Sequence, residues 1–521
     1  MKKSILFAYS TALIVALGGF LMGFDASVIS GAVGFVETQF QLSKLELGWA
    51  VSCLTLTSTI AMALAGPLSD KIGRKKVLVY SAILYFVTAS CAALAPNFIV
   101  LIIARMIGGF AVGASLIIAP MYIAEIAPSE IRGKLVSLNQ LNIVLGISAA
   151  FFTNYLILKY SQTDASWVQS IHLKENNWRW MLGIQTLPAI MYFLFLFIVP
   201  ESPRWLIMHN QLDKAKLILN KINGPAKVDE IINSVNEGLK SGVKKEKTNV
   251  KELLNPALKL VLIAGLVVAI TQQITGINSV FYYAPMIFAQ TGIGTDAAFS
   301  QAIMVGIINL IFTIVAMSLI DRLGRKPLLI IGVSGVVISM FLLTFAFGSA
   351  RYTLTAENSK NLTTIISQEK LAPLFNKAYE SDVEFNKAIT SSLGGDVVKK
   401  YNDTIVRAAI KMNSILVLIG ILGFVASFAI SLGPVMWVLL SELFPNHVRG
   451  LAISFVGFVN SVISFTVQLV FPWELVKLGN ATTFFIYGVF GVVGLAFIIF
   501  KLPETKGKTL EELEFQLVRH H

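Results

Sequence analysis

Twelve apolar segments, each about as long as a helix that crosses a bilayer, constrain this chain more than any other feature. A membrane-spanning helix needs about 20 consecutive apolar residues, and 55% of the residues here are hydrophobic, with a mean hydropathy of +0.72. The sequence therefore predicts an all-α membrane protein. The predicted spans are residues 6–30, 46–69, 77–95, 98–122, 134–158, 179–199, 260–290, 298–320, 327–349, 412–441, 451–475 and 480–502.

The two halves of the chain repeat each other in three short polar motifs. The motifs pair Gly66–Lys76 with Ser318–Pro327, Glu125–Gly133 with Glu442–Gly450, and Pro200–Trp205 with Pro503–Gly507. A duplicated unit of six helices is typical of transporters that work by alternating access. The repeat predicts two pseudo-symmetric six-helix bundles over residues 1–200 and 260–502, a helical linker over 201–259 and a tail over 503–521.

The charge pattern predicts the topology. The net charge is +12, but the basic residues cluster in short segments between apolar spans, which is the positive-inside pattern and not a nucleic-acid-binding surface. The linker and both termini are then cytoplasmic. By parity the polar insertion 350–411 is extracytoplasmic, and its composition predicts a small helical cap. Cys53 and Cys91 both lie in apolar spans, so neither a disulfide framework nor a metal site is predicted.

A polar stretch in the seventh span predicts a binding site. Gln272, Gln273, Asn278 and Tyr282 lie in a segment without charged residues, where amides and hydroxyls are costly unless they have partners. Gly276 can break the helix so that these side chains reach one cavity. Neutral donors and acceptors suit an uncharged polyhydroxylated ligand. The alternative is that the amides only join helices.

Asp25 and Arg105 are ionisable residues inside the first and fourth spans. Such residues are rare in membranes and are functional candidates by default. The proton affinity of a carboxylate depends on its burial and on its distance from a guanidinium. A distance that changes between two conformations would therefore couple proton binding to transport. The alternative is a static salt bridge that fixes the packing of the helices.

With these paired motifs the chain resembles the sugar porter family of the major facilitator superfamily. The seventh-span pattern is similar to the sugar-binding motif of the family, and further family positions fall on identifiable residues. The resemblance implies sugar contacts from Gln140, Gln272, Gln273, Asn278, Tyr282, Asn309, Trp437 and Asn460. Three departures from the family pattern, at Met22, Ile147 and Ser461, favour a hexose such as glucose, with xylose and galactose as further candidates.

The resemblance also implies how transport is driven. Proton-coupled members have an aspartate at the position of Asp25, whereas facilitative glucose transporters have asparagine, so the chain is predicted to be a symporter. Charged residues at the cytoplasmic helix ends resemble the family's latch of the outward-open state. The predicted latch residues are Asp70, Arg74, Glu125, Arg132, Glu201, Arg204, Asp321, Arg325, Glu442 and Arg449.

The sequence thus predicts a proton-coupled monosaccharide importer of the bacterial inner membrane, not an enzyme. The expected partners are a monosaccharide and membrane lipid, with no nucleic acid, no metal and no cofactor besides the coupling proton. A monomer is expected. Three alternatives remain open: a facilitative sugar uniporter, a polyol transporter, and a sugar sensor that does not transport.

Overall fold

A computed structural model describes residues 2–128, 130–224, 228–242, 252–253, 255–363, 365–445, 448–507 and 512. Over these residues it contains twelve helices long and apolar enough to cross a membrane, which confirms the predicted spans. In chain order, α1–α12 are Ile5–Phe40, Lys44–Ile72, Arg74–Ala93, Phe98–Ile126, Arg132–Ser161, Asn177–Leu196, Lys259–Ala289, Thr295–Ile320, Arg325–Gly348, Ser414–Leu443, Arg449–Lys477 and Asn480–Lys501.

The helices extend beyond the apolar spans into the repeated polar motifs. The helix α2 continues through Pro67 and ends at Ile72, and Gly73 then has φ 105° and ψ 151° before α3 begins. Gly324 has nearly the same backbone conformation, φ 97° and ψ 170°, before α9 begins. This region of backbone space is almost restricted to glycine. A glycine in each copy of the motif therefore makes the sharp connection between consecutive membrane helices.

The chain forms two compact units that interleave along the sequence. The first comprises Met1–Val28, Cys53–Thr153 and Arg179–Asn249, and the second comprises Ile29–Ser52, Asn154–Trp178 and Val250–His521. Each unit has its own cluster of buried apolar side chains. Four of the five unit boundaries lie inside membrane helices. The division predicted from the repeat, at residues 200 and 260, remains a prediction.

Glycines let helices of the first unit approach closely. A Cβ at Gly23 on α1 would lie 1.9 Å from the carbonyl oxygen of Ile143, and one at Gly146 would lie 2.0 Å from that of Phe20. On α4, a Cβ at Gly113 would lie 2.2 Å from the carbonyl oxygen of Ser58. Lipid gives helices little hydrophobic reason to associate, so such contacts between small residues carry the packing.

The linker is helical, as predicted. It forms the helices Pro203–Met208, Leu212–Asn223 and Val228–Gly242. The apolar faces of these helices share a small core that includes Trp205, Leu219 and Ile232.

The insertion 350–411 is not only helical, which corrects the predicted helical cap. It contains the strands β1 (Arg351–Thr353), β2 (Ala378–Tyr379) and β3 (Ile410–Lys411), in an antiparallel sheet of order β2-β1-β3. Its longer helices are Asp382–Leu393 and Gly395–Ala409. Strands of two or three residues are too short to leave a periodic pattern, which is why the sequence did not predict them.

The insertion has its own core and is fixed to the ends of the membrane helices. Tyr352 stacks on Phe385 with ring centroids 5.3 Å apart. Burial, with a smaller effect of nearby Asp382, raises the pKa of Tyr352 above its ordinary value. Asp382 Oδ2 also accepts hydrogen bonds from the backbone N–H of Asn480 at 2.9 Å and from its Nδ2 at 2.8 Å. The same aspartate therefore caps the start of α12.

Candidate functional site

The helix α7 is broken at Gly276, as the sequence predicted. The two parts are Lys259–Ile274 and Ile277–Ala289, and Gly276 between them is left-handed, with φ 89°. Only glycine adopts this conformation readily. A Cβ at Gly276 would also lie 2.5 Å from the ring of Tyr487 on α12, so the position is restricted both by its backbone and by its neighbour.

The break brings the predicted amides together in the second unit. Asn278 Nδ2 donates to Gln273 Oε1 at 2.8 Å, and Gln273 Nε2 donates to Gln272 Oε1 at 3.1 Å. On α11, Asn460 Nδ2 donates to the same Gln272 oxygen at 2.8 Å and to the carbonyl of Ala269 at 2.8 Å. Four of the predicted sugar-contacting residues thus form one hydrogen-bonded amide network.

A second helix break lies next to this network. The helix α10 consists of Ser414–Ile430 and Leu432–Leu443, interrupted at Ser431. Gln272 Nε2 donates at 2.8 Å to the carbonyl of Leu432, the first residue after this interruption. This bond joins α7 to α10. The amide network therefore has a packing role as well, which is the alternative reading raised by the sequence.

Two further residues of α11 extend the network and were missed by the sequence analysis. Ser464 Oγ accepts from Asn278 Nδ2 at 2.7 Å and from Gln468 Nε2 at 2.8 Å. Asn460, Ser464 and Gln468 recur every four residues, which places them on one face of α11. This spacing is the signal in the sequence that could have found Ser464 and Gln468.

The other predicted sugar contacts are placed separately from the network. Trp437 on α10 is 47% exposed, and its indole lies 3.7 Å from the position a Cβ would take at Gly457. Asn309 is buried on α8, and no hydrogen bond joins it to the described part of the network. Tyr282 is partly buried on the second part of α7, and Gln140 is exposed on α5 in the first unit.

The three positions that depart from the family pattern are all partly buried. Met22 packs against the apolar core of the first unit. Ile147 on α5 and Ser461 on α11 both keep part of their surface exposed.

Asp25 and Arg105 lie together within the first unit. Asp25 Oδ1 and Arg105 Nη1 are 3.9 Å apart, and both side chains are at least nine-tenths buried. This distance is beyond a hydrogen bond, so the charges attract without the fixed geometry of a bidentate pair. The pair borders a cavity of about 10 Å³ that Thr88, Gly108 and Gln185 also line. Gln185, on α6, was not predicted from the sequence.

The first group of predicted latch residues forms a compact cluster at the ends of α2, α3 and α4. Arg74 donates to both carboxylate oxygens of Glu125 at 3.1 Å and pairs with Asp70 at 2.8 Å. Ser202 Oγ donates to Glu125. Glu201 Oε1 accepts from the backbone N–H of Lys75 at 3.0 Å. Arg74 is 4% exposed, so this ion pair is buried at the helix ends.

The second unit repeats this arrangement at the ends of α8, α9 and α10. Arg325 pairs with Glu442 at 2.7 Å, and Thr505 Oγ1 donates to Glu442 at 2.6 Å, as Ser202 does to Glu125. Glu504 accepts from the backbone N–H groups of Arg325 and Lys326 at 3.1 and 3.0 Å. Glu504 and Thr505 were not predicted as site residues, although the repeated Pro-Glu motif pointed to them.

The remaining latch residues are placed differently. Arg132 is exposed and donates to the carbonyl of Ala127 at 3.5 Å, and Arg449 donates to that of Phe444 at 3.0 Å. Arg204 is exposed, and no ion pair joins it to another described residue. The side chain of Asp321 lies outside the described part of the structure.

Comparisons with known proteins agree on one family. The sequence matches the family description "Sugar (and other) transporter" over residues 11–367 and 389–517. It is 35% identical over 547 residues to the D-xylose-proton symporter of Escherichia coli (strain K12), which covers 98% of this chain and 95% of that protein. It is 34% identical over 502 residues to the arabinose-proton symporter of Bacillus subtilis (strain 168), covering 96% and 92%.

A solved structure agrees with this match. The inward open conformation of the xylose transporter XylE from E. coli aligns with a TM-score of 0.74 at 33% identity, covering 98% of this chain and 100% of that one.

Twelve apolar helices on this fold define a multi-pass integral membrane transporter of the major facilitator superfamily. The chain belongs to the sugar transporter family, whose members are transporters and not enzymes. The predicted fold class, family and membrane location are confirmed.

Proposed function

We propose that this transporter imports a monosaccharide together with a proton, by alternating access, and that Asp25 carries the proton. The observation that supports this most directly is the Asp25–Arg105 pair, buried in the membrane and separated by 3.9 Å beside a small cavity. A pair without a direct hydrogen bond can separate at lower cost than a bidentate one. The two symporters to which the chain is similar are consistent with this role.

The amide network is the proposed sugar site. The bonds from Gln273 to Gln272 and from Asn278 to Gln273 join neutral amides, and a sugar hydroxyl can replace either partner because it both donates and accepts. Each such bond contributes about 0.5–1.5 kcal/mol net. Several bonds give the weak, reversible binding that transport needs. The exposed indole of Trp437 supplies the apolar surface on which a sugar ring stacks.

The proposed substrate is a hexose such as glucose, because Ile147 stands where the xylose symporter pattern has a glutamine, and Met22 and Ser461 replace aromatic residues of the family pattern. Xylose and galactose are the other sugars to test, and a polyol would use the same amides. A facilitative uniporter would bind the sugar equally well, but would not accumulate it against a gradient. A sensor would bind sugar without moving it.

The test is uptake of radiolabelled glucose, with xylose, galactose and inositol in parallel, into proteoliposomes with and without an inward proton gradient. The unmodified protein is compared with Asp25→Asn and with Asp213→Asn, a control that removes an exposed carboxylate from the linker. We expect the gradient to drive accumulation in the unmodified protein and in the control. Asp25→Asn should still exchange sugar but should not accumulate it.

Each contrary outcome has a distinct meaning. Accumulation by Asp25→Asn would remove the coupling role of this residue. Equilibration without accumulation by all three proteins would show a uniporter. Binding without uptake would show a sensor, and uptake of only xylose or inositol would correct the substrate.

A further inference from the structure

Glu474 is a carboxylate of a membrane-crossing helix that neither the proposed sugar site nor the proton pair uses. It lies on α11, one turn before the helix ends at Lys477, and it is partly buried. Its Oε2 accepts a hydrogen bond from the hydroxyl of Tyr487 on α12 at 2.8 Å. A partly buried carboxylate is costly without a partner, and this hydrogen bond supplies one.

Tyr487 connects Glu474 to the break in α7. The tyrosine is 3% exposed, and its ring atoms Cδ2 and Cε2 lie 2.5 Å from the position that a Cβ would take at Gly276. The ring therefore lies directly against Gly276, the left-handed residue at the break in α7. The ring also stacks on Phe471, with ring centroids 6.3 Å apart and an interplanar angle of 26°.

The position of this ring matters because the break at Gly276 lies between two amides of the proposed sugar site. Gln273 precedes Gly276 and Asn278 follows it, yet their side chains are joined at 2.8 Å across the break. A small change in the angle at Gly276 would part them. The tyrosine ring limits that angle, and the bond from its hydroxyl to Glu474 limits the tilt of the ring.

We propose that Glu474 is a positioning residue that acts through Tyr487 to hold the break in α7 in the geometry that transport requires. This inference rests on the proposed transport function. It assigns Glu474 to the rate of conformational exchange, not to contact with the sugar or to the carriage of the proton.

The test compares four single variants, and one double variant of Glu474→Leu with Tyr487→Phe, in proteoliposomes with the unmodified protein. Tyr487→Phe removes the hydroxyl and keeps the ring, Glu474→Leu removes the acceptor, and Glu474→Gln keeps an acceptor oxygen of similar shape. Tyr80→Phe, at a 54% exposed position on α3, is the control. The maximal rate and the Michaelis constant of sugar exchange are measured, so the readout does not depend on proton coupling.

We expect Tyr487→Phe and Glu474→Leu each to lower the maximal rate by about tenfold, the size of one lost hydrogen bond to a charged group. The Michaelis constant should change by less than about twofold, since the sugar contacts remain. A variant with both changes should be no slower than either alone, because both remove the same bond. Glu474→Gln should retain most of the rate.

A second measurement tests the inference without sugar or transport. Hydrogen exchange of the backbone amides near Gly276 is measured in the full-length protein, where Glu474→Leu and Tyr487→Phe should speed exchange by about tenfold and Glu474→Gln should not. Unchanged exchange in Glu474→Leu would overturn the inference even if transport fails for another reason. A loss of rate in Glu474→Gln as large as in Glu474→Leu would also overturn it, because the charge and not the position would then matter.

Discussion

At the scale of single residues, carboxylates at the cytoplasmic helix ends serve as partners for the backbone. Glu504 accepts from the N–H groups of Arg325 and Lys326 at the start of α9, and from those of Thr505 and Lys506 at 2.8 Å each. The first N–H groups of a helix lack partners within the helix. A carboxylate there also interacts favourably with the helix dipole. Glu504 thus caps a helix from a distant part of the chain.

This role predicts that Glu504→Ala destabilises the protein. Up to four backbone N–H groups would lose their acceptor, and an unpaired buried group costs about 1–3 kcal/mol. We expect a lower midpoint of thermal unfolding in detergent, with a smaller loss in Glu504→Gln. Glu357→Ala, at an exposed position in the insertion, is the control and should unfold like the unmodified protein. An unchanged midpoint in Glu504→Ala would contradict the capping role.

At the scale of elements, the interrupted helices α7 and α10 supply the geometry of the proposed sugar site. A continuous helix would direct Gln273 and Asn278 to different sides, whereas the turn at Gly276 brings their side chains within 2.8 Å. Gln272 in turn donates to the carbonyl of Leu432 at the start of the second part of α10. The amide network therefore depends on the break in α7 and joins it to the break in α10.

This dependence predicts the effect of Gly276→Ala. The change imposes a left-handed backbone on alanine, which costs about 1–2 kcal/mol, and places a methyl group 2.5 Å from Tyr487. Gly224→Ala is the control, since Gly224 also has a positive φ, 76°, and a Cβ there would meet no other atom of the described residues within 4 Å. With a ψ of 162°, its backbone is also unfavourable for alanine, so both variants should lose thermal stability, but only Gly276→Ala should weaken sugar binding. Unchanged sugar binding in Gly276→Ala would contradict the role of the break.

At the scale of the whole molecule, the internal repeat of the sequence is also present in the structure. Arg74 with Glu125 and Ser202 in the first unit corresponds to Arg325 with Glu442 and Thr505 in the second. The second arginine of each copy, Arg132 or Arg449, does not take part in these pairs. Arg132 and Arg449 are held by carbonyl groups five residues before them in their own chain segments. They are therefore available to pair with other groups in another conformation.

Substitutions of Arg74 and Arg132, which both lie in the first copy of the repeated motifs, are predicted to have different effects. Arg74→Ala should lower thermal stability, because it leaves the buried carboxylate of Glu125 without its ion pair. Arg132→Ala should leave stability nearly unchanged but slow turnover, because it removes a charge that can bias the conformational equilibrium. Measurements of sugar binding, uptake rate and thermal unfolding distinguish the two variants. Normal turnover with weakened binding in Arg132→Ala would contradict a latch role.

Much of the site could be predicted because its signals are local. Gly276 among amides predicted a helix break, and the break is present. Asp25 and Arg105 stood out as charges in apolar spans, and they are close together. Glu474 has the same kind of signal but was overlooked, because it lies within one turn of the helix end. The small strands of the insertion had no signal, since each is at most three residues long.

The sequence by itself determined that the chain crosses the membrane in twelve helices, because a backbone in lipid must satisfy its own hydrogen bonds and long apolar runs record where it does so. It also located the helix break and the repeated motifs, which are local in the chain. Only the tertiary structure decided which polar groups meet. Gln272 and Asn460 are 188 residues apart, and Glu504 and Arg325 are 179 apart. Local periodicity carries no record of partners at such distances, because they are chosen by the packing of the helices.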